Sequence, residues 1–142
     1  MEKEQLNTFD KELLLKDLCA RLPYGVKVRC DFGLDGEITE ISRTKNNLYY
    51  CKYLDCKEGY CYIESLKPYL FPLSSMTDEQ RQEYTYIVNY ISPDDTDNWK
   101  EGEFIYVEQF TQLMHFYHKN HLDYRGLITM GLATDATGLN IY

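Results

Sequence analysis

Between Asp10 and Leu22 the apolar positions Leu14, Leu15, Leu18 and Leu22 fall within one arc of about 100° at helical spacing, which predicts an amphipathic helix over 10–22. Glu12–Lys16 and Asp17–Arg21 are i,i+4 pairs with the acid first, the favourable order. Leu13 falls on the far side, and Pro23-Tyr24-Gly25 stops the helix. From Val26 the period changes to two. Val26, Val28 and Cys30 alternate with Lys27, Arg29 and Asp31, the mark of a half-buried strand. Turn residues at Phe32–Gly36 lead to a second strand near Glu37–Thr44, and Lys45-Asn46-Asn47 lead to a third at Leu48–Leu54. In that third strand Tyr49, Cys51 and Tyr53 share one face, with Tyr50, Lys52 and Leu54 on the other. Lys57-Glu58-Gly59 opens a short fourth strand, Tyr60–Ile63. Four short strands with tight turns over 26–69 predict an antiparallel meander, an SH3-like or barrel-like sheet.

Pro68 and Pro72 bracket an extended linker. Thr77-Asp78-Glu79-Gln80 then has the form of a capping box, opening a helix over 78–90 with Tyr84, Ile87, Val88 and Ile91 inward. Pro93 to Gly102 reads as an acidic loop. A third helix over 106–119 places Tyr106, Val107, Phe110, Leu113, Met114 and Tyr117 within about 120°, with Asn120 as a left-handed C-cap. The tail 121–142 keeps an apolar residue at every second or third position, broken by Gly126, Gly131 and Gly138. It reads as a docked segment ending in a short strand at Leu139–Tyr142. The expected fold is therefore α+β, with residues 1–142 in a single domain.

Composition changes this picture in three ways. A net charge of −8 disfavours coating of a polynucleotide. The start MEKEQLNTFDKE lacks a signal pattern and no apolar run is long enough for a membrane span, so the expected location is the cytoplasm. Fourteen tyrosines point either to a binding face or to thin core layers closed by amphipathic rings.

The five cysteines include no CxxC pair and read as thiols. Cys51, Cys56 and Cys61 recur every five residues, wider than structural zinc spacing, and metal is not expected. His115, His118 and His121 stand three apart, so their rings precess about 60° per step and do not converge. His115 is expected to face water and His121 to point inward. Asp94, Asp95, Asp97, Glu101 and Glu103 resemble a calcium loop only in composition, because Trp99 and Lys100 occupy key positions. There is no phosphate loop, nucleophile elbow or HExxH motif, and no cofactor is implied. Catalysis would require two or more of Cys51, Cys61, His115, His118 and Asp123 to meet in a cleft.

Binding chemistry is the richer possibility. Tyr49, Tyr53 and Tyr62 could stack a flat ligand, with Arg29, Arg43 and Lys52 on the same sheet to hold an anion. Tyr124-Arg125 adds a guanidinium beside a ring. The competing role for Arg125 is structural: pairing with Asp123, or capping carbonyls of the third helix, to hold the tail in place.

Three tracts together, DLCARLPYGVK (Asp17–Lys27), LKPYLFPLSSMT (Leu66–Thr77) and HLDYRGLITMGLA (His121–Ala133), with the ending GLNIY, resemble short proteins of gut Bacteroides-type bacteria, their phages and mobile elements. The resemblance spans most of the chain and implies a phage or mobile-element setting in a bacterial cytosol. It transfers no site residue. With that setting, the residues point to a non-enzymatic small-molecule binder, specifically a sponge for a nucleotide-derived immune signal. A closed pocket of that kind often lies at a homo-oligomer interface. The alternative is an acidic adaptor or inhibitor that binds a host or phage protein.

Overall fold

In the computed structural model, which describes residues 7–31, 35–44, 49–53, 60–89 and 99–142, the leucine arc of the first helix becomes a buried seam. Helix α1 spans Thr8–Arg21, capped by Asn7, whose side chain accepts from the Asp10 amide at 2.8 Å. Leu14 and Leu18 are fully buried, while Leu15 and Leu22 pack at the edge of the same core. Leu13, expected on the far side, packs there too. A 3-10 turn, Leu22–Tyr24, closes the helix, and Gly25 follows at φ 76°. A Cβ at Gly25 would stand 2.8 Å from a Glu37 carboxylate oxygen, so glycine serves both backbone and space there.

The alternation after Val26 forms β1 (Lys27–Cys30), β2 (Asp35–Arg43), β3 (Tyr49–Tyr53) and β4 (Tyr60–Tyr62), joined antiparallel in sequence order. The sheet does not stop at four strands. The segment bracketed by Pro68 and Pro72, expected as a linker, belongs to β5 (Leu66–Pro72), which pairs antiparallel with β1. Proline lacks an amide donor, and among the described residues Pro68 pairs only with Val28 of β1, since the pairings on the other side of β5 begin at Tyr69. The sheet order is β4-β3-β2-β1-β5, extended by two-residue strands β6 (Leu122–Asp123) and β7 (Thr134–Asp135), both parallel to β5. The expected barrel-like meander is thus an open mixed sheet, and no pairing joins β4 to β5 among the described residues. It is nevertheless curled. Cys30 on β1 and Cys61 on β4 touch at 3.5 Å between sulfurs, whereas three strand spacings in a flat sheet would hold them about 14 Å apart.

The capping box forms as predicted, with Gln80 N to Thr77 Oγ1 at 3.2 Å and Thr77 N to Gln80 Oε1 at 2.9 Å. It opens α2 (Asp78–Val88), which buries Ile87 and half-buries Tyr84 and Val88. Ile91 lies outside the described residues. Helix α3 runs Trp99–Lys119, so its start lies well before Tyr106 and residues 99–102 of the expected acidic loop are helical. Among its described side chains the buried ones are Phe116 and His118, with Leu113 and Tyr117 partly covered, whereas Phe110 is 63% exposed. The buried face is thus rotated from the expected stripe: Phe116 and His118 fall outside it, Leu113, Met114 and Tyr117 are only half-buried, and the side chains of Tyr106 and Val107 lie outside the described residues. Gln109 of α3 donates at 2.8 Å to both Ile87 O and Val88 O, closing the end of α2.

Asn120 is not the left-handed residue. It donates through Nδ2 to Phe116 O at 2.9 Å, and His121 takes the left-handed backbone at φ 55°. The tail then docks as expected. Asp123 accepts the amides of Leu127 and Ile128, each at 2.9 Å, and Ala136 N donates to Leu70 O. Leu127, Leu132 and Ala133 enter the core of α1 and the sheet. Leu139–Tyr142 is not a strand. The Tyr142 hydroxyl instead accepts from Lys27 N and donates to Tyr69 O, both at 2.8 Å, while its ring stacks on His121 at 3.6 Å.

That clasp predicts a pH response. Burial, with the Arg21 and Lys27 charges, holds the His121 imidazole down from 6.5 to about 4. His118 is lowered in the same sense, by burial first and by Arg21 second. Between those values the unfolded chain binds protons that the fold refuses, so stability is full above about pH 6.5 and falls as pH drops toward 4. For the partly exposed His121 the expected loss is of order 2 kcal/mol after allowing for solvent screening. His121→Asn keeps a residue tolerant of the left-handed backbone and removes the titration. Thermal melts at pH 7 and pH 4.5 should show a smaller drop in that variant, and an equal drop would refute the assignment.

Candidate functional site

The i,i+4 pair at the end of α1 lies in the interior. Asp17 and Arg21 are both 0% exposed, and Arg21 Nε donates to Asp17 Oδ2 at 2.8 Å. Arg21 Nη2 also donates to Leu122 O at 2.6 Å, and Arg125 Nε donates to Asp17 Oδ1 at 3.2 Å. One carboxylate therefore gathers two guanidiniums from elements far apart in sequence. The Tyr124 ring lies near both, 5.2 Å from the Arg21 guanidinium carbon and 5.1 Å from that of Arg125. Burial pushes the Tyr124 phenol up, so it stays protonated, and its hydroxyl shares a 2.8 Å hydrogen bond with His118 Nε2.

His118 connects this interior to the surface. His115 and His118, one helical turn apart on α3, both pack on Tyr24, each with ring centroids 5.4 Å from it. Tyr24 is fixed by the Pro23-containing turn after α1 and shares a 2.8 Å hydrogen bond between its hydroxyl and His115 Nδ1. Beside these rings a cleft of about 620 Å³ opens between α2 and α3, lined also by Ile87, Phe110 and Met114. Glu83 stands at its edge, paired with Lys119 at 2.6 Å. With the His118 pKa lowered by burial, its imidazole is neutral at pH 7. The cleft thus has flat rings in its wall, with His115 Nδ1 and His118 Nε2 already engaged by the Tyr24 and Tyr124 hydroxyls. The histidines do not all diverge as expected: His115 and His118 meet on Tyr24, and only His121 stands apart with Tyr142. Among the described residues no group of three or more histidine, cysteine or acidic side chains is placed to hold a metal.

The residues singled out from sequence are spread over several elements. Arg29 is exposed on β1, between Asp35 and Lys67 in the register, and lines a small recess of about 200 Å³ with Lys67 and Asp31. Arg43 is exposed at the end of β2, opposite Tyr49. Tyr49, Lys52 and Tyr53 belong to β3, and their side chains lie outside the described residues. Tyr62, 52% exposed, stands opposite Tyr50. Cys51 instead stands between Ile41 and the buried Cys61, and Tyr53 opposite the buried Ile38. The pleat therefore puts Tyr62 in a different row from Tyr49 and Tyr53. Tyr124 and Arg125 do come together, in the anchor on Asp17. Arg125 holds the tail, through Asp17 and not through Asp123 or helix carbonyls, since Asp123 is engaged with two amides.

Tyr24, His115 and His118 were not grouped by sequence reasoning, because Tyr24 is separated from His115 by 91 positions. The burial of Asp17 and Arg21 did leave a signal. Each follows a buried leucine, Leu14 or Leu18, by three positions, which places it at the edge of the leucine arc. Comparison with protein-family models, with curated proteins and with solved structures found no match to this chain.

Proposed function

We propose that the chain is a non-enzymatic small-molecule-binding protein of phage or mobile-element origin, and that a flat, base-like ligand stacks in the α2–α3 cleft. The observation that carries this reading is the pairing of Tyr24 with His115 and His118 at the wall of a cleft of about 620 Å³, a volume typical of ligand sites. Stacking on such rings contributes about 1–3 kcal/mol per base. A nucleotide-derived immune signal, held as by a sponge in a bacterial cytosol, is the ligand class that suits this wall. Its phosphate would compete with the Glu83 carboxylate for Lys119. The curled meander would serve as a barrel-like scaffold, with Arg29, Arg43 and Lys52 outside the cleft and on different rows of the sheet. The adaptor reading is supported by Phe110, which at 63% exposure would suit a partner protein's apolar side chain.

The test is calorimetric titration with cyclic dinucleotides, ADP-ribose-derived signals and an uncharged nucleoside, followed by mass analysis of the recovered ligand. Binding tighter than micromolar with intact ligand is expected, weakened about tenfold or more by Tyr24→Ala or by the exposed His115→Ala. No such binding across the panel overturns the reading, and so does chemical conversion of the ligand. Conversion would assign His115 and His118 to acid–base work. Described helices include none long and apolar enough to cross a membrane.

A further inference from the structure

We infer that Cys30 and Cys61 form a redox-responsive dithiol, closing a disulfide between β1 and β4 when the protein meets a peroxide. Their sulfurs touch at 3.5 Å. A disulfide bond needs about 2.05 Å, so closure requires a movement of about 1.5 Å, within reach of small rotations about two side chains. Strands β2 and β3 lie between β1 and β4 in the hydrogen-bonded order, so the bond would join strands that share no ladder. It would convert the curl of the open sheet into a covalent closure across 31 positions of chain.

The surroundings select the oxidant. Cys30 and Cys61 are 3% and 7% exposed, in the same apolar core as Val28, Ile38, Ile63 and Leu66. Such burial disfavours a bulky disulfide reagent, whereas hydrogen peroxide is small and uncharged. One thiol, as its thiolate, attacks a peroxide oxygen. An S–O bond forms, the O–O bond breaks, and the departing hydroxide takes a proton to leave as water. The second thiol then attacks the sulfenic sulfur, forming the S–S bond and breaking S–O, and a second water leaves. Two thiols thus lose two protons and two electrons, and one peroxide becomes two waters. In a reducing cytosol the pair rests as thiols, and thiol reductant restores it.

The register supplies the competitor, because Cys51 stands directly opposite Cys61 across β3 and β4. The experiment treats the folded full chain with hydrogen peroxide, then unfolds it in denaturant to block remaining thiols by alkylation, and maps linked peptides by mass spectrometry without reduction. A Cys30–Cys61 peptide is expected, with Tm raised by about 10 °C and restored by dithiothreitol. Cys51→Ala should keep the link, and Cys30→Ala should lose it. Should Cys30→Ala fail to fold, the wild-type peptide map decides alone. A Cys51–Cys61 link, folded protein with both thiols still alkylatable, or purification with stoichiometric zinc on the thiols would each overturn the inference.

Discussion

Removing residues 127–142 should leave no folded protein. Leu127, Leu132, Ala133 and Ala136 are buried, three of them inside the core built by α1 and the sheet. Deleting one buried leucine side chain costs about 2–5 kcal/mol, and two would go with the segment. Strand β7 and its pairing to β5 would also be lost, together with the Tyr142 hydroxyl bonded to Lys27 and Tyr69. Asp123 would keep a buried carboxylate without its two amide donors, a further cost of about 1–3 kcal/mol. The sum approaches the whole stability of a domain, about 5–15 kcal/mol. Circular dichroism and gel filtration of the truncated chain check this. A sharp thermal transition with unchanged helicity would overturn it.

Asp17→Ala should cost about 3–5 kcal/mol and lower Tm by roughly 10 °C or more, as much as emptying a core position. The change leaves the Arg21 guanidinium at 0% exposure without its counter-charge, and releases Arg125 from the site where it anchors the tail. Glu12→Ala is the matching control. It removes the acid of the other i,i+4 pair of α1 from an exposed position, and should change stability by less than about 0.5 kcal/mol. Replacing both partners, Asp17→Leu with Arg21→Met, should recover part of the loss, because it removes the stranded charge as well. Urea titrations of the three proteins decide the matter. An Asp17→Ala protein within 1 kcal/mol of the parent would show that the buried carboxylate is not what holds the two arginines.

A tyrosine-and-histidine cleft opening off a buried ion cluster gives the molecule one coupled unit. His118 faces the cleft and also holds the Tyr124 hydroxyl, and Tyr124 lies over both guanidiniums. A ligand seated against His118 would therefore press on the same group that fixes the tail. The tail's apolar residues are held by this cluster through Arg125 and by the core of α1 and the sheet through Leu127, Leu132 and Ala133.

The local patterns were decisive wherever neighbours in sequence are neighbours in space. The leucine arc of α1, the alternation of Val26, Val28 and Cys30, and the Thr77–Gln80 capping box each became the element their spacing required. Periodicity also marked the tail as apolar enough to dock. It could not say against what. The segment between Pro68 and Pro72 reads as linker, yet it belongs to a strand because β1 lies on one side and the tail strands on the other. Asp17 and Arg21 satisfy each other as a surface pair would, and only the packing of Tyr124, Arg125 and Leu122 over them makes the pair a buried anchor. Phe110 belongs to the expected apolar stripe, yet the tertiary packing leaves it 63% exposed and buries Phe116, which lies outside that stripe. Helical and pleated periods are properties of the local backbone and are written in order along the chain. Burial, pairing and the meeting of Tyr24 with His115 depend on which segments close over long loops, and that choice belongs to the tertiary fold.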